Sequence, residues 1–204
     1  ETMIDYFATK RIDNKEFANS LSNLYSMYSF EALSSCQNLL SSHDVRRFLN
    51  QCESNTEGIY GAVFLQATFP GIAGIYYGDE IGLGGGGDPF NREPFPWDSE
   101  DKWNKELMEF TTDLMNIKVS EPILKYGHFQ MVNFDDDYVI FRRKLNNESL
   151  LCIVNRDKRK KDIEIETNAE NVKLIYGECS IELNSGNLVL KDLADNFGLI
   201  LKEI

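Results

Sequence analysis

The sequence predicts an α/β region followed by an all-β region, and two observations carry that prediction. Up to about residue 120, helical runs alternate with short apolar runs, the texture of a parallel α/β arrangement. After about Gly127, short alternating runs follow one another with turn residues between them, the texture of an antiparallel sandwich or barrel. The texture changes near residues 120–127, so the expected domains are 1–124 and 125–204.

Each element has a local reason. Asp13-Asn14-Lys15-Glu16 has the form of a capping box, with Asp13 as N-cap and Glu16 at N3. Phe17, Leu21, Leu24, Tyr25 and Tyr28 follow at helical spacing. Cys36 to Leu40 is short and apolar, which predicts a buried strand delivering Ser41-Ser42-His43-Asp44 at its C-terminal end. Gly58 to Phe69 reads as a helix stopped by Pro70-Gly71, and Ile72 to Tyr77 as a second buried strand leading into Gly78-Asp79-Glu80. Gly82 to Trp97 is a long loop rich in glycine and proline, and long loops are usually functional. A helix is expected from about Asn104 to Val119, with Leu107, Phe110, Leu114 and Ile117 on one face.

In the second region the strand expectations are 128–134, 138–144, 150–155, 162–167, 172–176, 180–183, 188–190 and 198–202. Asp135-Asp136-Asp137, Asn146-Asn147, Asn184 to Asn187 and Ala194-Asp195-Asn196 supply the turn signals. The triple aspartate lacks the spaced ligand ladder of a calcium loop and reads as a hairpin turn. The basic run Arg156 to Lys161 reads as a solvated hairpin loop.

Composition sets the limits. The 204 residues are enough for a real core without disulfides or metals. A formal charge of −12 argues against a nucleic-acid partner and against a polybasic membrane anchor. No apolar run approaches the roughly 20 residues of a membrane helix. Cys36, Cys52, Cys152 and Cys179 form no C-x-x-C pair, and only two histidines are present, so no metal site is expected. Cys36 and Cys152 lie in apolar runs and are expected to be buried free thiols, which points to a cytoplasmic setting. The chain opens at Glu1, without a methionine and in mid-pattern, and is expected to be an internal piece of something longer.

Three features could carry chemistry. Ser42-His43-Asp44-Val45-Arg46-Arg47 brings a histidine, a carboxylate and guanidinium groups to a strand end, although Asp44 could equally cap a helix beginning near Val45. In Tyr76-Tyr77-Gly78-Asp79-Glu80, paired tyrosines could wall a sugar site, or the run could be a core strand meeting an acidic helix start. The run Gly82 to Pro89 is no P-loop, because no Lys-Ser/Thr follows. Asp88, Arg92 and Trp97 after it are residue types that sugar sites use.

Taken in order, these features resemble the alpha-amylase superfamily of retaining glucoside hydrolases, and within it the neopullulanase, cyclomaltodextrinase and maltogenic amylase group. Ser42-His43-Asp44 matches the family's motif at the end of barrel strand seven. Pro70 to Glu80 matches its strand-eight stretch, with Ala73 in place of a proline. Gly86-Gly87-Asp88-Pro89, with Arg92 and Pro96-Trp97-Asp98, resembles the loop that follows. Val45-Arg46-Arg47 departs from the family's usual Thr-Pro-Arg.

The resemblance implies the last two strands and helices of a (β/α)8 barrel followed by an antiparallel β-sandwich. It implies that Asp44 is the third, transition-state-stabilising acid and that His43, Arg47, Asp88 and Arg92 bind substrate. The implied substrate is an alpha-glucan oligosaccharide: a cyclomaltodextrin, pullulan, starch or a maltooligosaccharide. No cofactor is implied here, and any calcium belongs to the part of the family's fold that this sequence does not match. The family's nucleophile and general-acid motifs do not occur in these 204 residues. Retaining hydrolysis needs both, about 5–5.5 Å apart, so the chain is expected to be inactive alone. It is expected to pair with an N-terminal barrel half or with a copy of itself. A non-catalytic carbohydrate-binding or structural module derived from the same fold is the competing expectation.

Overall fold

A computed structural model describes every residue of the chain except Ser54, Arg159, Lys160, Asp195 and Asn196. It contains six α-helices among the described residues: α1 Asn14–Met27, α2 Phe30–Ser35, α3 Phe48–Gln51, α4 Gly58–Thr68, α5 Lys105–Ser120 and α6 Pro122–Tyr126. Two short strands, β1 Gln37–Leu39 and β2 Ile72–Gly74, pair in parallel with Gln37 opposite Ile72 and Leu39 opposite Gly74. Eight more strands follow: β3 His128–Phe134, β4 Val139–Leu145, β5 Glu148–Val154, β6 Ile163–Glu166, β7 Val172–Tyr176, β8 Ser180–Asn184, β9 Asn187–Lys191 and β10 Gly198–Glu203. They form a five-stranded sheet in the order β3-β4-β5-β10-β7 and a three-stranded sheet in the order β6-β9-β8. All pairings in these two sheets are antiparallel.

Local chemistry accounts for the element ends. The capping box forms: Asp13 accepts from the Glu16 amide, and Glu16 reaches back to the Asp13 amide. Asn104 caps α5 by accepting from the Leu107 amide at 3.0 Å. Asp135 turns the first hairpin by accepting from the amides of Asp137 and Tyr138, which is the hairpin role expected of the triple aspartate. Asn146 takes a left-handed φ of 55° between β4 and β5, a conformation asparagine tolerates.

The central strands β4, β5 and β10 of the five-stranded sheet are buried on both faces. Phe141, Leu150, Cys152, Val154 and Ile200 belong to a core shared with the helices. Ile140, Leu151, Ile153, Leu199 and Leu201 alternate with them and meet the three-stranded sheet. A strand covered on both sides reads as a continuous apolar run, which Leu150 to Val154 is. Helix α4 is buried all round and lies against this sheet; Phe64 packs so close to Gly198 that a Cβ there would meet its ring at 2.5 Å. Burying side chains of this size contributes roughly 1.5–3 kcal/mol each.

Several expectations need correction. β1 and β2 are three residues long and largely exposed, with Leu39 and Ile72 open to solvent, because no further strand flanks this pair. Cys36 is exposed at the start of β1, whereas Cys152 is buried and Cys179 partly so. Leu24 and Tyr28 also face out. The basic run is not a free loop. Arg156 lies over the Tyr6 ring at 4.5 Å and donates to the Ile12 carbonyl, Asp157 pairs with Lys10, and Lys158 with Glu57. Lys161 pairs with Asp135 and Asp137, while Arg159 and Lys160 lie outside the described residues, as do Asp195 and Asn196 of one expected turn. Among the described residues, no helix is long and apolar enough to cross a membrane.

Candidate active-site loop

The loop that leaves β1 begins with buried Ser41, whose hydroxyl accepts from the Phe48 amide at 2.9 Å. Helix α3 therefore starts at Phe48, with Arg47 in the N-cap position. Asp44 therefore does not cap this helix, contrary to the cap reading left open for it. Between Ser41 and Phe48 the chain makes a tight reversal, with a bridge between Ser42 and Val45 and the Asp44 amide on the Ser42 hydroxyl. The reversal pushes two side chains out. His43 Nε2 lies 3.2 Å from Asp44 Oδ2, and the two side chains are 65% and 72% exposed.

The backbone beneath them is held by hydrogen bonds from the following loop. Asn91, with no exposed surface, donates its side-chain amide to the carbonyls of Ser42, His43 and Val45 at 3.3, 2.9 and 2.9 Å. Arg92 adds a second donor to the His43 carbonyl at 3.1 Å and pairs with Asp88 at 3.2 Å. Gly85 accepts from the Arg47 amide and donates to Asn50 Oδ1. A Cβ on Gly85 would meet the Phe90 carbonyl at 2.5 Å, so only glycine allows this approach.

Arg47 lies below the loop and not in the open cleft. Its side chain is 0% exposed. It donates to the carbonyls of Tyr77 and Asn91 and to Asp79, and stacks under the rings of Tyr76 and Tyr77 at 4.2 and 4.7 Å. With its side chain wholly buried, Arg47 offers no surface for the expected substrate contact in this structure and holds the loop from below. Burial outweighs the pull of Ser41 and Arg47 on Asp79 and pushes its carboxyl up to about 6. The rings of the paired tyrosines lie 4.7 Å apart, above Arg47. Tyr77 remains partly exposed and ties to the Glu93 carbonyl at 2.9 Å.

Four of the five sequence-expected residues, His43, Asp44, Asp88 and Arg92, thus sit on the exposed side of one connected network, and Arg47 sits under it. Asn91 and the Arg47–Asp79 pairing were not foreseen. An asparagine after Asp-Pro-Phe reads as a turn residue, and nothing local marks it as a bridge between loops. Further along the same loop, Trp97 is 72% exposed and braced by Phe95 and Trp103 with ring centroids 4.3 and 6.3 Å away. Among the described residues, no three His, Cys, Asp or Glu side chains gather as a metal would need. A groove of about 820 Å3 lies on the strand side around Arg142 and Glu203. Glu203 there is saturated by Arg142, Ser149 and Thr167, so its carboxylate is structural.

No family model matches the chain. It is 32% identical over 183 residues to a cyclomaltodextrinase of Geobacillus thermopakistaniensis, covering 87% of this chain and 31% of that protein. It is 29% identical over 204 residues to a maltogenic alpha-amylase of Bacillus acidopullulyticus, covering 97% of this chain and 34% of that protein. Among solved structures, the debranching enzyme of Nostoc punctiforme superposes with a TM-score of 0.86 at 27% identity, over 98% of this chain and 45% of that one. The chain belongs to the alpha-amylase family. It spans about a third of the length of the curated relatives it matches. Within this alpha-amylase family chain, the loop of His43 and Asp44 sets an exposed carboxylate on a hydrogen-bonded backbone.

Proposed function

We propose that the chain serves as the C-terminal part of a longer retaining alpha-glucan hydrolase. On this reading residues 1–124 complete a (β/α)8 barrel, with β1 and β2 as its last two strands, and residues 125–204 form the β-sandwich after it. Asp44 is the third acid. It hydrogen-bonds substrate hydroxyls and favours the distorted, oxocarbenium-like state, while the two carboxyl groups that make and break the glycosidic bond come from elsewhere. His43, Arg92 and Asp88 line the same subsite. Hydrolysis of alpha-linked glucose is supported by what the relatives' names say of them, cyclomaltodextrinase and maltogenic alpha-amylase.

The observation that carries the reading is the exposed Asp44 carboxylate beside His43, on a backbone pinned from below at the end of a parallel strand. The test is to join the chain to the upstream half of a cyclomaltodextrinase relative and follow glucose and maltose release from a cyclomaltodextrin. The joined protein should be active and the chain alone should not. Release by the purified chain alone, or none by a folded joined protein, contradicts the proposal. A second reading, a non-catalytic carbohydrate-binding module, draws on Trp97, whose exposed face suits stacking on a pyranose ring. It predicts glucan binding that Asp44→Asn leaves unchanged.

A further inference from the structure

We infer that Asn91 is a positioning residue for Asp44, acting through the backbone of the loop that carries it; the inference rests on the catalytic reading of Asp44. The carbonyls Asn91 holds belong to Ser42, His43 and Val45, one or two residues to either side of Asp44. An amide nitrogen has two hydrogens, so three acceptors within 3.3 Å share them. The Asp44 amide is already used by the Ser42 hydroxyl. The aspartate thus has its backbone held on each side while its carboxylate stays 72% exposed.

Asn91 is itself anchored. Its carbonyl accepts from Arg47 Nε at 3.0 Å, and Arg47 pairs with Asp79 beyond β2. A line of buried contacts therefore runs from the end of one parallel strand to the loop after the other. Its Oδ1 is buried without a partner, so the side chain's hydrogen bonds all run from its nitrogen to this loop. A group added only for packing would not need its donors aimed at the three carbonyls that bracket one exposed acid. Catalysis needs this precision, since a misplacement near 1 Å costs on the order of 10²-fold in rate.

The two histidines make the test direct. His43 reports the loop, and His128, bonded to Tyr25 at 2.8 Å in the strand region, reports the rest. In the 204-residue chain, Asn91→Ser should lower the NMR order parameter of the His43 ring and leave His128 unchanged. An unchanged His43 in a folded variant overturns the inference. Should the variant not fold, the unmodified chain still decides: the Asn91 side-chain amide protons should exchange slowly, and exchange as fast as that of exposed Asn147 overturns it. In the joined enzyme, Asn91→Ser should lower kcat about 10²-fold with KM within about twofold. In an Asp44→Asn background it should then cost less than about twofold more. Equal losses in both backgrounds mean a merely structural role. An inactive joined enzyme sinks the catalytic reading of Asp44, while the His43 and amide measurements still judge the positioning claim.

Discussion

Lys118 reaches the carbonyls of Ala67 and Phe69 from inside the core, at 2.9 and 3.2 Å. These are carbonyls at the C-terminus of α4, where a cation is favoured. Burial, with Arg143 nearby, nevertheless lowers its pKa from the ordinary 10.5 to about 7. The unfolded chain then binds more protons than the folded one between about pH 7 and 10.5, so stability rises with pH across that window. The slope approaches about 1.4 kcal/mol per pH unit. Cys52 and Cys152, whose thiols burial pushes up to about 12, act in the opposite sense above pH 9. Urea titrations at pH 7 and 8.5 should therefore show the rise, and Lys118→Met should flatten it. A rise that survives the substitution assigns it to another group. No local pattern marks this site. Lys118 sits near the end of an amphipathic helix, where a lysine normally reads as solvent-facing.

At the scale of elements, the loop 82–97 is a brace for the loop 41–47. Gly85 is its tightest point, with Arg47 Cγ and Asn91 Cα both 3.0 Å from where a Cβ would stand. Gly85→Ala should destabilise the chain by about 1–3 kcal/mol, as overpacking does. Gly86→Ala, where a Cβ meets nothing within 4 Å, should cost far less. Calorimetric melting of the two variants checks the ordering; equal Tm values would deny the brace. This brace was only half legible. Four glycines before Asp-Pro announced a loop that approaches something closely. What it approaches is set by pairing across 46 to 49 residues, from Asn91 to Ser42, His43 and Val45, and no local pattern encodes that. Strands from 128 onward were legible to within a few residues, because Asp135, Asn146 and Gly186 impose turns between apolar runs. β1 and β2 were read too long and too buried, since their apolar residues suit neighbours that this chain does not supply.

Across the whole molecule, the central sheet joins the parts. Its strands share one core with α1 and α4 and another with β6 and β9, so the strand region does not stand apart from the helices. Amide exchange should be slowest in β5, where Leu150 to Val154 have no exposed surface, and in α4. The two should open together, and early loss of α4 with β5 still protected would show two independent units. Arg156, gripped by Tyr6 and Ile12, ties the loop after β5 to the N-terminal segment. Arg156→Ala should lower the Tm of the single transition without splitting it, whereas a second transition would mark the contact as the main join between two units.

On the proposed reading, Asp44 stabilises the transition state of glucan hydrolysis when the chain completes a barrel. Its most direct test is kcat of Asp44→Asn in the joined enzyme acting on a cyclomaltodextrin. The amide keeps the shape and loses the charge that strengthens hydrogen bonds to the sugar as positive character grows. The expected loss in kcat is on the order of 10²–10³, the size of one preorganised electrostatic group. A near-normal kcat would contradict it and leave His43 and Asp44 as two exposed side chains on a well-held turn.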